Sequence, residues 1–115
     1  MGSLAIKMAS QGWRTAWISM LDPPDRLQPI REAGVYYIGG LGISEGEFFQ
    51  LARFRCQGAQ LVLVDGLDRV RVEDGLGTEV NPASVLSILV NAARFREYAA
   101  VATCQVEIDV QTVLL

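Results

Sequence analysis

The chain has 115 residues, half of them hydrophobic and a fifth charged. That length supports one domain with a real core, spanning 1–115, and that composition excludes a disordered chain. Thirteen acidic residues against ten basic ones leave a net charge of −3, so the chain has no overall basic footprint for nucleic acid.

In chain order, "GSLAIKMASQG" predicts a helix closed by Gly12. "WRTAWISML" predicts a strand, with Trp13, Ala16, Trp17 and Ile18 favouring burial. "DPPDRLQPIREAG" predicts a short helix opened by prolines, limited or kinked by Pro29 and closed by Gly34. "VYYIGG" is a short strand. "SEGEFFQLARFRCQG" opens with a capping box: Ser44 accepts from the backbone N–H of Glu47, whose side chain reaches back. Phe48, Leu51, Ala52 and Cys56 then fall on one helix face, and Gly58 closes the helix. "AQLVLVDG" is the next strand. A polar loop, "LDRVRVEDGLGTEV", leads to Asn81-Pro82, an N-cap followed by proline at the first helical position. The helix "PASVLSILVNAARFREY" follows, then the strand "AAVATCQVEID", with "VQTVLL" as a candidate continuation.

Helices and strands alternate throughout, and the strands are apolar on both faces. The expected fold is therefore α/β, in three layers, with a mostly parallel sheet flanked by helices. In such folds ligands gather at the carboxyl ends of the strands. Asp65, Asp22 and Gln105 each fall at such an end.

Residue chemistry narrows the classes. Histidine is absent, which removes Ser-His-Asp and Cys-His catalysis. Cys56 and Cys104 are far apart in apolar contexts and read as buried thiols, not as a disulfide framework or metal site. Lys7 is the only lysine, so a phosphate-binding lysine within the chain would have to be Lys7. No apolar run approaches the ~20 residues that span a bilayer. The N-terminus lacks the basic start and long apolar stretch of a signal peptide. A soluble cytoplasmic protein without a membrane partner is expected.

Other features carry less. Arg53 and Arg55, like Arg94 and Arg96, are spaced two apart, which on a helix gives different faces and solubilising charge. Trp13, Trp17, Tyr36 and Tyr37 read as core and sheet-edge packing. "YYIGGLGISEG" is glycine-rich before a helix N-terminus, but Glu45 and Glu47 in that first turn would repel phosphate.

The strand "QLVLVDG" resembles the Walker B element of P-loop NTPases. The succession "GWRTAWISMLD", "REAGV", "GEFFQLARFRCQGAQLVLVDGL" and "ASVLSILVNAARFREYAAVATCQ" is similar to the RecA-like ATPase core, from about Leu4 to Gln105. "AWISMLDPPDRLQPIREAGV" also resembles the catalytically degenerate ImuA and SulA types linked to the SOS response. The resemblance implies that Asp65 holds Mg²⁺ beside the nucleotide phosphates and that Gln105 senses the γ-phosphate. It makes Asp22 the acid nearest the family's catalytic position, and ATP with Mg²⁺ the parent family's cofactors. Two departures stand out. There is no G-x-x-x-x-G-K-[ST], whose backbone N–H groups and lysine surround phosphates. Met20 and Leu21 also occupy the neighbourhood of the family's catalytic Glu.

The implied fold is a RecA-like core, truncated or degenerate at its N-terminus. The implied function is that of an ATPase-core domain of a DNA recombination, repair or helicase-type protein, unable to hydrolyse ATP alone. The alternative is a P-loop-free relative acting as a protein-binding accessory or regulatory module in the SOS response or cell division. A receiver-like domain with Asp65 as phosphoacceptor would need an acidic pair near the first strand and a late lysine, and has neither. The loop Leu67–Val80 is the candidate DNA contact. Self-association or a protein partner is expected, because a sheet lacking a central strand exposes backbone groups unless "VEIDVQTVLL" fills the gap.

Overall fold

The four short apolar runs become the four strands of one sheet. The computed structural model describes residues 1–71 and 81–105. Helix α1 spans Gly2–Ser10, strand β1 Thr15–Ser19, α2 Gln28–Glu32, β2 Tyr36–Gly39 and α3 Glu45–Gln50. The last of these continues as a π-helical turn, Leu51–Arg55; β3 is Leu61–Asp65, α4 Pro82–Arg96 and β4 Ala99–Thr103. The strands are all parallel in the order β2-β1-β3-β4. The expected three-layer α/β fold is therefore present, with helices on both faces.

Alternation along the strands divides two cores. Ile18, Val62 and Val64 face Phe48 of α3 and Val85 and Leu89 of α4. On the other side Trp17, Leu61 and Leu63 face Ala5 of α1 and Ile30 of α2. Both faces of β3 are thus apolar because both are covered, as parallel sheets require.

Local signals set the helix ends. Glu47 N–H donates to Ser44 Oγ at 3.3 Å while Ser44 N–H lies 3.5 Å from Glu47 Oε1, completing the capping box. Asn81 Oδ1 accepts from Ser84 N–H at 3.2 Å, and Pro82 takes the first turn of α4, where its missing N–H costs nothing. Helix α4 ends without glycine, at Glu97 with φ 58°.

Three expectations are corrected. Trp13 precedes β1 and is 42% exposed; of the tryptophans only Trp17 is in the core. Pro29 neither kinks nor interrupts α2 but sits in its first turn, and Pro23 and Pro24 precede the helix. Strand β4, expected to be covered, is exposed along nearly its whole length, with only Ala102 half-buried. The part of the polar loop at 72–80 and the segment 106–115 lie outside the described residues. No described helix is long and apolar enough to cross a membrane.

Candidate functional site

The parallel register brings three strand ends level: Ser19 pairs with Asp65, and Asp65 with Thr103. This end of the sheet is where a doubly wound fold presents side chains to a ligand. The Asp65 carbonyl accepts from Met20 N–H at 2.9 Å, which fixes the backbone. Gly66 N–H donates to Thr103 at 3.2 Å, reaching both its carbonyl and its Oγ1. The Thr103 hydroxyl in turn donates to Asp65 Oδ1 at 2.5 Å. One hydroxyl therefore accepts from a backbone N–H and donates to the carboxylate. That arrangement orients Asp65 and leaves its second oxygen outside the bond.

The chain must leave β3 sharply to keep this end open. Gly66 does so with φ 85° and ψ 50°, in the left-handed region. A Cβ there would stand 2.9 Å from Leu21 Cδ2, so a side chain would have to push Leu21 aside as well as adopt a strained backbone. A single 3₁₀ turn, Leu67–Arg69, follows, with Leu67 buried as its anchor.

A cavity of about 260 Å³ lies over these groups, lined by Leu21, Asp65, Gly66, Asp68, Thr103, Cys104 and Gln105. Asp65 and Gln105 thus share one cavity. Asp22 is exposed in the loop after β1 and is not part of that lining. Two neighbours had no signal in the sequence. Thr103 is an ordinary strand-end threonine until register sets it beside Asp65. Tyr37 has a buried hydroxyl with no hydrogen-bond partner. Burial pushes its phenol above the ordinary value and the Asp65 charge pushes the same way. Ser19 acts in the opposite sense, although no hydrogen bond of ordinary geometry joins the two.

Mg²⁺ is commonly held by one or two carboxylates, with water and phosphate oxygens completing an octahedron. Asp65, with Asp68 on the same wall, suits a hydrated cation of that kind. Among the described residues no group of three His, Cys, Asp or Glu could cage a metal. A triphosphate fits poorly, because none of the lining residues is an Arg or Lys. No hydrolytic step therefore follows from these residues.

The cysteines divide as their burial dictates. Cys56 is 1% exposed, and burial pushes its thiol up to about 12, against the opposing charge of Arg55. It is a packing residue, far from nucleophilic. Cys104 is half-buried in the wall of the strand-end cavity. No protein-family model matches this sequence, and neither does any curated protein.

Proposed function

We propose that the chain is a RecA-like α/β domain of a DNA recombination, repair or helicase-type system that does not hydrolyse ATP by itself. In this reading Asp65 carries a hydrated Mg²⁺ and Gln105 is the neighbouring sensor. The observation that carries it is the cavity they share, with Asp65 held in orientation by Thr103. The absence of a basic side chain from that lining, together with the missing G-x-x-x-x-G-K-[ST], supports the second half of the statement. Charge to neutralise a triphosphate would have to come from elsewhere.

The same missing counter-charge favours one alternative, a protein-binding accessory or regulatory module in the SOS response or cell division that uses no nucleotide. Titration of the isotope-labelled protein with Mn²⁺, followed by NMR, separates the two. Paramagnetic broadening at the amides of Asp65, Gly66 and Thr103, abolished by Asp65→Asn, is the expected result, with no ATP turnover. Absence of broadening at millimolar Mn²⁺, with or without ATP, would leave the accessory reading. Turnover that Asp65→Asn abolishes would make the chain an ATPase in its own right.

A further inference from the structure

The tetrapeptide Ala-Arg-Phe-Arg occurs twice, as Ala52–Arg55 and as Ala93–Arg96. Each copy ends a helix, one in the π-helical turn after α3 and the other at the end of α4. Expected only to solubilise separate helix faces, the two copies instead meet. The Arg53 guanidinium carbon lies 3.9 Å from the centre of the Phe95 ring and 5.5 Å from that of Phe49. The Arg96 guanidinium lies 4.8 Å from Phe95 and 5.7 Å from Phe54. Phe49 and Phe54 meet edge to face at 6.2 Å. Arg96 Nε donates to the Arg53 carbonyl at 2.6 Å and joins the two helix ends.

Basic residues at helix C-termini complement the helix dipole, which accounts for arginines here. It does not account for the rings. Phe54 is 50% exposed and Phe95 55%, a cost that stacking with an arginine at the surface does not offset. Phe54 also forms one wall of a groove of about 430 Å³ whose apolar walls include Ile38, Ile43 and Leu51, with Arg55 at its rim. Of the nearby acids, Glu47 lines the groove but is turned to the Ser44 cap, and Glu97 follows Arg96 at the end of α4.

We infer that this surface docks an acidic peptide segment of a partner protein, seating an apolar side chain in the groove and carboxylates on Arg53 and Arg96. Charge complementarity selects the carboxylates: a planar guanidinium held by stacked rings presents its N–H edge for paired hydrogen bonds. Exposed aromatic and arginine side chains around an apolar pocket are the composition of protein-interface anchors. Single-stranded nucleic acid is the less suited ligand. It would need free aromatic faces for its bases, and here guanidinium groups already lie against the Phe95 and Phe54 rings. The inference does not depend on Asp65 or on any nucleotide.

Selection of a random dodecapeptide phage library on the purified chain tests it. The expected winners carry Asp or Glu flanking a Leu, Phe or Trp. As synthetic fluorescent peptides they should lose about tenfold or more in affinity with Arg53→Glu/Arg96→Glu and with Phe54→Ala. Circular dichroism and a thermal melt establish that each variant is folded. A peptide with its acids replaced by lysine should bind the doubly reversed variant in preference to the original chain, which loss of packing alone could not produce. Binders without an excess of acids, no binders at all, affinity unchanged by the arginine substitutions, or an oligothymidylate binding this patch where acidic peptides do not would each overturn the inference.

Discussion

Strands β3 and β4 lie side by side, five residues each, paired residue for residue. Leu61–Val64 is sealed from solvent, whereas β4 is open and its Val101 is 43% exposed. The ladder between them is shared, but β3 carries a second one to β1, and a ladder alone does not bury a side chain. Cover does. Strand β3 has a strand on each side and helices over both faces. Among the described residues β4 is the last strand, and an open groove of about 520 Å³ runs beside it, lined by Ala100 and Ala102 of β4 and by Leu86, Val90 and Ala93 of α4. Hydrogen bonds position a strand, but apolar area removed from water is what holds it in a core.

The largest expected effect tests that contrast directly. Leu63→Ala empties a fully buried site between the two helical layers and should cost about 2–5 kcal/mol in urea unfolding. Val101→Ala, on the same sheet face and in register with Leu63, should cost less than about 0.5 kcal/mol. A comparable loss at Val101 would mean the edge is covered in solution. Sedimentation should then show association that weakens with the substitution.

Next comes the join between the two strands. Gly66→Ala forces a side chain into positive φ and against Leu21, and should cost about 1–3 kcal/mol by thermal melting. Leu21→Ala in the same chain should relieve the contact but not the backbone strain, so only part of the loss should return. Smaller still is the N-cap of the helix that shields β3. Asn81→Ala removes the acceptor for Ser84 N–H and should cost about 1 kcal/mol, measured by urea unfolding. The smallest effect at neutral pH is that of Cys56. Its folded value is raised, so the folded chain keeps a proton that the unfolded chain gives up. The associated stability is intact below the thiol's ordinary value of 9 and is lost as pH rises from there toward about 12. Tyr98 and Tyr37, raised chiefly by burial, add to the loss above 10. Melting from pH 8 upward should show the decline, and Cys56→Ala should flatten its first part. At pH 8 a thiol reagent should label Cys104 well before Cys56.

Much of the fold was legible. The Ser44–Glu47 box and the Asn81-Pro82 start are local chemistry, closed within four residues, and both are present. The run Leu61–Val64 announced a strand covered on both faces, and it is. Exposure was not legible where composition is neutral. "AAVAT" has no charge to mark an edge, so its sequence cannot distinguish a covered strand from an open one. Trp13 misled because a large ring suggests burial wherever it stands. In the candidate site, Asp65 and Gln105 stood out by position at strand ends. Thr103 did not, since its role depends on a partner 38 residues away.

The sequence alone determined the alternation of helices and strands, the parallel sheet, the caps, and the end of the sheet at which Asp65 stands. Each follows from short-range periodicity or from side chains bonding their own backbone. Only tertiary structure decided which strand would be left open, that Thr103 would orient Asp65, and that two Ala-Arg-Phe-Arg segments would stack into one surface. Those outcomes depend on register and helix placement across the sheet, which are set by the packing of the whole core rather than by any one segment.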